Sequence, residues 1–568
     1  MFFFRPALSR LLAAGVVVAA TLPATAQDGI GLPDAERLGA QMEQFHARVP
    51  GSIFALQPFR NDQSVIGEDG TEITLTSLNP AINAWFVLNV TRPGGRTEAY
   101  HIENAERENW QIALTDEARP ALAITGDGGD MTCRPWEGEL AEARDSGLPY
   151  APICDWSLYV RNRVSGSRTS REAVAEFLRK NVLFGDSIVN LIKGTFYEDA
   201  FMLSSEGLET DDAGDAVALL GTADLASRPV MRAYMSFDLE GADAGMEAGA
   251  WYAVKDAPGI FASVVQAGLI SQDILRSPGA NWPDGVESRA DVYLVAFDLD
   301  QFEMGYEVGT DHPGVEWSPR PAQRHNGAGP DGFRTTAPLV TVGMIPPTAT
   351  ERVAATFTGG FKREHGAWRF GDYAGVNYGM HYGFMQDGVI LSRLWPNLAT
   401  MYMTADGEIG MKKWEEGDEA KLPNLVFARQ NGVPLIENGV PGDRVTSWGG
   451  GNWSGSAEAD LRTLRGGACM RTVGGRQFLI YAYFSSATPS GMARVFQAYG
   501  CDTAMILDMN SQEHTYMALY LHKGDEIETQ HLVAAMSEVD QRASDGSIIP
   551  RFVGFSDNRD FFYLLRKE

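Results

Sequence analysis

The segment ACMRTVGGRQFLIYAYF, residues 468–484, places two β-prone runs on either side of Gly474 and Gly475. Two glycines between such runs are typical of a tight hairpin turn, because glycine adopts the positive φ values that the turn requires. The apolar residues that follow recur at i, i+3, i+4 and i+7, and they are Met492, Val495, Phe496 and Tyr499. This spacing predicts a helix with one buried face, which ends at Gly500.

A short apolar run follows this helix and ends in an acidic residue. Residues Thr503–Leu507 predict a buried strand, and Asp508 comes directly after it. Strand, helix and strand in succession predict a parallel, right-handed crossover. Asp508 would then lie just past the carboxyl end of a strand, where open α/β sheets bind ligands. Its carboxylate could act as a general base, a nucleophile or a metal ligand, or it could simply cap the strand or pair with Arg471.

The cysteines indicate an oxidising compartment. The four of them form two pairs that are local in sequence, Cys133 with Cys154 and Cys469 with Cys501. Four cysteines allow three pairings, and we expect the local ones, each within its own domain. The second disulfide is expected to fix Arg471 relative to Asp508. A guanidinium offers a fork of donors that matches phosphate oxygens, so Arg471 together with Asp508 predicts a phosphate site.

The N-terminus predicts export. Arg5 and Arg10 flank the apolar run LLAAGVVVAATL, and Ala24-Thr25-Ala26 matches a cleavage site, so residues 1–26 are expected to be a secretory signal peptide. An uncleaved amphipathic anchor is the alternative. No later stretch approaches the ~20 apolar residues of a membrane helix, so we expect no transmembrane segment after cleavage. The predicted location is the bacterial periplasm or the medium.

Charge and length limit the partners and the domain count. The formal net charge of -27 predicts a surface that repels nucleic acid and anionic lipid, so no nucleic-acid partner is expected. A local arginine can still hold a phosphate. A chain of 568 residues exceeds what one core normally supports, so two or three domains are expected.

The order of strand-like and helical patterns predicts an α+β fold. Helical patterns occur at Asp34–Arg48 and Ser170–Leu183, and the strand ADVYLVAFDLD begins a new domain at about Arg289. The expected parts are a signal peptide (1–26), an N-terminal α+β accessory domain (27–225), a connecting region (226–288) and a C-terminal domain with a mixed β-sheet and packed helices (289–568).

Five motifs in the C-terminal half occur in a characteristic order. They are ATFTGGF, GVPLIENG, RTVG, GMARVFQAYG and DTAMILD. In this order they resemble the phosphodiester glycosidase domain family, the domain of N-acetylglucosamine-1-phosphodiester α-N-acetylglucosaminidase and its bacterial relatives, over about residues 289–568. The resemblance implies an α+β domain that hydrolyses a sugar-1-phosphate diester.

The resemblance also implies site residues. The positions that match the family's motifs are Gly359 and Gly360 in its N-G-G-F turn, Arg471 and Thr472 in its R-T pair, and Asp508 in its L-D-G-G-G-S segment. Two departures occur at these motifs. Thr358 replaces the asparagine, and the glycines are replaced by Met509, Asn510 and Ser511. Glycines at these positions would let backbone amides approach a ligand closely.

These observations predict an exported hydrolase that acts on a sugar-1-phosphate diester or a related envelope glycan. Arg471 is expected to hold the phosphate, and Asp508 is expected to act as acid/base or metal ligand. His514 is expected either to carry a proton or to be a solvated loop residue. The expected substrate contacts are Gly359, Gly360, Thr472, Asn510 and Ser511. No organic cofactor is expected, and participation of a divalent metal is left open.

Two other functions remain as alternatives. One is a non-catalytic glycan-binding or envelope-assembly protein on the same fold. The other is an esterase that uses Ser187 in the Gly185-Asp186-Ser187 motif, although helix caps explain that motif better. Weaker candidates for the site are Glu364, His365, His381, Trp448 and Trp453.

Overall fold

A computed structural model describes most of the chain. The described residues are 35–47, 51–115, 118–126, 128–169, 173, 199–205, 207–208, 220–311, 335–360, 382–447, 460–524 and 526–568. Several predictions lie outside them: the signal peptide, the helix Ser170–Leu183 apart from Ala173, the Ser187 motif, Glu364, His365, His381, Trp448 and Trp453.

The described part of the chain contains four α-helices, α1 (Ala35–Ala47), α2 (Glu139–Ser146), α3 (Gln272–Arg276) and α4 (Pro489–Ala498). The helix α1 confirms the first predicted helical pattern. The helix α4 confirms the helix predicted from the spacing of Met492, Val495, Phe496 and Tyr499, and its first turn is capped by Thr488, whose hydroxyl accepts from the Gly491 amide at 3.1 Å. Gly500, at φ 66°, follows its last turn, as the sequence predicts.

Strands make up most of the regular structure. In the first 270 residues they are β1 (Asn61–Ile66), β2 (Glu72–Ser77), β3 (Trp85–Thr91), β4 (Thr97–Asn104), β5 (Trp110–Leu114), β6 (Leu122–Gly126), β7 (Met131–Cys133), β8 (Tyr150–Ile153), β9 (Leu158–Arg161), β10 (Gly207–Leu208), β11 (Val230–Met231), β12 (Met246–Glu247), β13 (Tyr252–Ala253) and β14 (Ile260–Gln266).

The C-terminal strands are β15 (Asp291–Asp298), β16 (Phe302–Glu307), β17 (Val353–Thr358), β18 (Phe384–Gln386), β19 (Val389–Ser392), β20 (Ala399–Thr404), β21 (Ile409–Lys413), β22 (Leu425–Gln430), β23 (Ile436–Glu437), β24 (Val440–Pro441), β25 (Thr463–Val473), β26 (Arg476–Ala487), β27 (Thr503–Met509), β28 (Met517–Lys523), β29 (Glu526–His531), β30 (Gln541–Arg542), β31 (Ile548–Ile549) and β32 (Phe561–Arg566).

The fold is β-rich, and the predicted α+β class with packed helices is wrong. About 40% of the residues lie in strands and 16% in helices. Every pairing between the strands named above is antiparallel. The physical reason is the turn chemistry. Short apolar runs are joined by tight turns such as Asp387-Gly388, at φ 47° and 77°, so neighbours in sequence pair as hairpins.

Three sheets build the C-terminal half. The largest has eight strands in the order β13-β14-β15-β26-β25-β27-β23-β24, and its first two strands come from the predicted connecting region 226–288. The first five-stranded sheet has the order β16-β32-β17-β28-β29, and the second has the order β19-β18-β22-β20-β21. The N-terminal half contributes a six-stranded sheet, β1-β2-β3-β4-β9-β8. The domain boundaries themselves stay a prediction.

The eight-stranded sheet is covered on both faces. On one face, Ile506 and Ala504 belong to the same buried cluster as Phe496 of α4. On the other face, Met505 and Leu507 join the core that contains the first five-stranded sheet. The rings of Phe357 and Tyr481 meet there with centroids 5.3 Å apart. This burial on both faces explains why β27 reads as an unbroken apolar run.

The direction of the strands around β25 decides what lies near Asp508. Both β26 and β27 run antiparallel to β25, which lies between them, so β26 and β27 run in the same direction, as the predicted crossover requires. The pairing of β25 with β27 sets Met470 opposite Thr503 and Arg465 opposite Met509. The carboxyl end of β25 therefore adjoins the beginning of β27, not its end.

Both predicted disulfides are formed, Cys133 with Cys154 and Cys469 with Cys501. Paired cysteines of this kind belong to proteins that fold outside the cytoplasm. In the described ranges, no helix is both long and apolar enough to cross a membrane.

A buried ionic network joins the six-stranded sheet to the first five-stranded sheet. The Arg161 side chain, fully buried on β9, forms ion pairs with Glu103 on β4 and with Glu307 on β16. Glu307 Oε2 also accepts from Gln386 Nε2 at 2.5 Å. Burial and, to a smaller extent, the nearby carboxylates of Glu103 and Asp387 together raise the pKa of Glu307 to about 8, against the attraction of Arg161.

The raised pKa of Glu307 predicts a pH-dependent stability. Between the ordinary glutamate pKa, near 4.5, and about 8, the folded protein holds a proton that the unfolded chain releases. The free energy of unfolding therefore falls as pH rises through this window. Replacing the acid by its neutral isostere, Glu307→Gln, removes the proton exchange. We expect urea unfolding of this variant to depend less on pH between 5 and 8 than that of the wild type.

The matched control for this experiment is Glu303→Gln, which changes an acid on the same strand that is 46% exposed. It should leave the pH dependence unchanged. Identical pH profiles for the wild type and Glu307→Gln would show that the proton is held elsewhere in the network.

Candidate functional site

A β-bulge at the end of β27 sets the direction of the Asp508 side chain. Ile506 lies opposite Gly467 and Met509 lies opposite Arg465, so two residues of β27 face one residue of β25. The alternation of faces slips by one residue here, because Ile506 and Met509 both belong to the cluster on the α4 side. Bulges re-aim side chains in this way and are common next to functional sites. Asp508 therefore points, with Leu507, toward the first five-stranded sheet.

Asp508 meets an arginine that the sequence analysis did not single out. Arg559 Nη1 forms an ion pair with Asp508 Oδ2, and both side chains are almost fully buried, each 3% exposed. Asp508 Oδ1 accepts from the Met509 amide at 2.8 Å. Both carboxylate oxygens are thus engaged, and the guanidinium is fixed in place by the charge of the acid.

His514 completes this arrangement. Its Nε2 lies 2.8 Å from Arg559 Nη2, and its Nδ1 lies 3.0 Å from the Met509 carbonyl oxygen. Because a guanidinium can only donate, Nε2 is the acceptor and Nδ1 carries the proton. The imidazole is therefore neutral in this arrangement, and it can take up a proton at Nε2 only after Arg559 Nη2 stops donating to it. The side chain is half-buried, so the predicted alternative of a fully solvated loop histidine does not describe it.

The predicted glycine turn lies at the same place. Thr358 donates from Oγ1 to the His514 carbonyl oxygen at 2.5 Å, and the amide of Gly359 donates to the Asp560 carbonyl oxygen at 2.9 Å. Gly360 has a φ of 146°, and a Cβ there would lie 2.8 Å from Asn431 Nδ2. A side chain at this position would collide with the amide, so glycine is required by both conformation and space.

The loop after β27 explains one departure from the family's glycines. Asn510 has a φ of 79°, in the left-handed region that glycine adopts freely and that asparagine tolerates best among the other residues. Its Oδ1 accepts from the Thr463 hydroxyl at 3.2 Å. Ser511 is buried, and its Oγ has no hydrogen-bond partner among the described residues.

Arg471 and Thr472 do not lie at this site, and the expected pairing of Arg471 with Asp508 is wrong. They occupy the end of β25, and the amide of Thr472 donates to Asp502 at 2.8 Å just before β27 begins. Burial lowers the pKa of Arg471, and the carboxylate of Asp502 opposes this effect. The reason for the error is the antiparallel pairing: the Cys469–Cys501 disulfide fixes Arg471 at the beginning of β27, roughly five residues or 17 Å from Asp508 along the strand.

The arginine nearest to the end of β27 on β25 is Arg465. It lies opposite Met509 and is fully buried, and burial lowers its pKa to about 9. Its Nε donates to the Ala487 carbonyl oxygen at 2.8 Å and its Nη2 to the Leu461 carbonyl oxygen at 2.8 Å. These contacts tie the guanidinium to backbone on the α4 side of the sheet.

A second buried acid adjoins the glycine turn. Asp560 Oδ2 accepts from Arg429 Nε at 2.5 Å and from the Tyr306 hydroxyl at 2.7 Å. A Cβ on Gly359 would lie 3.2 Å from the same oxygen. Two carboxylates, each paired with an arginine, thus flank the turn: Asp508 with Arg559, and Asp560 with Arg429.

The residues that sequence reasoning missed carry a weak signal. Arg559 and Asp560 belong to the polar run SDNRD, residues 556–560, which comes directly before the apolar strand β32. A charged cluster at the start of a buried strand is the same kind of signal that singled out Asp508. Arg429 lies inside an apolar strand, where one charged residue is equally typical of a structural ion pair.

No metal centre is evident in the part of the chain that the structure describes, where no group of three or more His, Cys, Asp or Glu residues could hold an ion. The two acids at the glycine turn each already pair with a guanidinium, so neither presents an uncompensated charge to a cation.

Comparison with known proteins adds little to this geometry. No protein-family model matches the chain, and no curated protein matches it. One solved structure to which the chain is similar is that of an exported protein of Burkholderia pseudomallei K96243, with 11% sequence identity and a TM-score of 0.21, over 48% of this chain and 74% of that one.

Proposed function

We propose that this chain is an exported hydrolase of a sugar-1-phosphate diester or a related envelope glycan, and that its active site lies between Asp508 and the Gly359-Gly360 turn. The observation that carries the proposal is the convergence of three distant segments on one place. Residues 358–360, 508–514 and 557–560 are joined there by the hydrogen bonds of Thr358, Gly359 and Arg559.

Arg559 takes the role that the sequence analysis gave to Arg471. Its guanidinium is held by Asp508 and reaches His514, so it is fixed at the end of β27. A fixed guanidinium is suited to bind phosphate oxygens and to stabilise the charge that develops on them during cleavage. Asp508 orients the guanidinium and is the acid/base candidate, because its carboxylate lies at the end of β27 beside the glycine turn.

His514 is the proton carrier in this proposal. When a phosphate oxygen takes the Nη2 donor of Arg559, while Nη1 stays paired with Asp508, Nε2 of the imidazole loses that hydrogen bond and can take up a proton. The Met509 carbonyl oxygen, 3.0 Å from Nδ1, keeps the ring in one orientation throughout. A histidine held in this way can give a proton to a leaving group near neutral pH.

The burial of the Asp508–Arg559 pair favours a second candidate function. Both side chains are only 3% exposed, as in a structural ion pair. On this view the chain keeps the fold and binds a glycan without cleaving it, in the periplasm or outside the cell.

An assay with purified mature protein separates the two candidates. The probes are UDP-N-acetylglucosamine and a methyl diester of N-acetylglucosamine 1-phosphate. We expect release of free sugar, and we expect the release to stop in His514→Gln, whose side chain is half-buried and can be replaced without leaving a buried charge. Binding of these probes with no release of sugar would support the glycan-binding protein and contradict the hydrolase.

A further inference from the structure

Two buried side-chain oxygens beside the glycine turn are left without donors. Asn431 and Asp560 are both fully buried. Among the residues that the structure describes, neither Asn431 Oδ1 nor Asp560 Oδ1 has a hydrogen-bond partner. A buried acceptor with no donor is costly, so natural proteins rarely keep one unless something else fills the need.

The rest of each side chain is fixed, which holds the two oxygens in place. Asn431 Nδ2 donates to the Ile506 carbonyl oxygen at 2.8 Å, which joins it to β27 two residues before Asp508. Asp560 Oδ2 is held by Arg429 and Tyr306. Neither side chain can turn its free oxygen elsewhere without losing these bonds.

Both residues border Gly360 and Gly359. The position of a Cβ on Gly360 lies 2.8 Å from the Asn431 amide nitrogen and 3.3 Å from Arg429 Nη2. The position of a Cβ on Gly359 lies 3.2 Å from Asp560 Oδ2. The glycines thus let the backbone of the turn lie directly against these side chains, where any larger residue would collide with them.

The chemistry of this place indicates what kind of group would supply the donors. The two guanidiniums of Arg429 and Arg559 already balance the charges of Asp560 and Asp508, so a cation gains little. Neutral hydroxyl groups satisfy acceptors without adding charge, and a sugar ring presents several at fixed spacing. We propose that Asn431 and Asp560 form a subsite that accepts hydrogen bonds from the hydroxyl groups of the sugar.

This inference rests on the proposed function, because the subsite adjoins the same glycine turn. The subsite adds the substrate contact that sets specificity for the sugar. Sites that bind a hydroxyl through a buried polar group reject analogues that lack the hydroxyl, because the group is then left unpaired. Asn431 and Asp560 are therefore the residues that would distinguish a sugar phosphate from a simple phosphate.

The test compares two probes, N-acetylglucosamine 1-phosphate and inorganic phosphate, by calorimetric titration of the full mature chain. The wild type should bind the sugar phosphate at least about tenfold more tightly. Asn431→Ala should weaken binding of the sugar phosphate about fivefold, the effect of one hydrogen bond, and change phosphate binding less than about twofold.

Asn83→Ala is the matched control. Asn83 is also buried, its Oδ1 likewise lacks a partner within the described ranges, and its Nδ2 donates to the carbonyl oxygens of Arg107 and Trp110 at 2.9 and 2.6 Å. It should leave both affinities unchanged. Equal wild-type affinity for the two probes, or no binding of either, would overturn the subsite even if Asn431→Ala failed to fold.

The subsite and the hydrolase can fail separately. Release of sugar with the same KM in the wild type and Asn431→Ala would leave the hydrolase standing and refute the subsite. The opposite result would be a wild type that prefers the sugar phosphate, a loss of this preference in Asn431→Ala, and no release of sugar from any diester. It would leave the subsite standing and refute the hydrolase.

Discussion

Asp508→Asn is expected to lower the rate of sugar release about a thousandfold. Loss of a group that transfers a proton, or of one that stabilises developing charge, typically lowers the rate by about a hundredfold to a thousandfold or more. The amide keeps the shape of the side chain but cannot take a proton. It also removes the carboxylate charge that pairs with Arg559, in a place where both side chains are 3% exposed. The measurement is kcat/KM with a sugar-1-phosphate diester, together with the far-UV circular dichroism of the variant.

Asp502→Asn is the control at the other end of the same strand. Asp502 is exposed and accepts from the Thr472 amide, so its loss should not affect the rate. A folded Asp508→Asn variant with wild-type kcat/KM would place the chemistry elsewhere. Asp508→Asn should also unfold at lower urea than the wild type, because a buried guanidinium then lacks its carboxylate. That second effect does not depend on the enzyme having the proposed activity.

Arg161→Met is expected to cost about 3–5 kcal/mol of stability, the usual result of removing one member of a buried ion pair. Arg161 has no exposed side-chain surface and neutralises two carboxylates from different sheets, Glu103 and Glu307. Methionine fills most of the volume, so the loss should come mainly from the two acids that remain buried without a counter-charge. Urea unfolding at pH 9, above the pKa of Glu307, measures it.

The location of the loss can be tested with two further variants. Arg119→Met removes an exposed pair, in which Arg119 and Glu137 are 69% and 54% exposed, and should cost less than about 1 kcal/mol. Adding Glu103→Gln to Arg161→Met should restore part of the lost stability, because one stranded charge is removed. If the double variant is no more stable than Arg161→Met, the loss comes from packing, for example of Arg161 against the Trp85 ring 4.4 Å away.

Local patterns in the sequence predicted elements well. The hairpin at Gly474-Gly475, the helix α4 with its end at Gly500, and both disulfides are present. Each depends on residues close together in sequence, whose conformations follow from turn chemistry, helical spacing and short loop closure. The fold class failed because it depends on how strands pair over long separations, and β25 and β27 pair antiparallel across the intervening β26 and α4.

The same distinction explains the site. Asp508, His514 and the Gly359-Gly360 turn come together, but the arginine beside them could not be chosen from the sequence. Arg471 precedes Asp508 by fewer than forty residues, whereas Arg559 follows it by fifty-one. Proximity in sequence favoured Arg471, but the antiparallel register places it at the wrong end of the strand, and the loop before β32 supplies Arg559 instead.

The extra residue in β27 makes this end of the sheet sensitive to gain of a single codon in the neighbouring strand. Inserting one residue beside Gly466 in β25 would restore the regular ladder with β27, and the aspartate would then turn toward α4 and away from Arg559. The hydrophobic contacts of the strand would largely survive such a change. A lineage could therefore exchange chemistry for pure recognition in one genetic step while its protein still folds, and homologues that differ in length at this position are where such a transition should be sought.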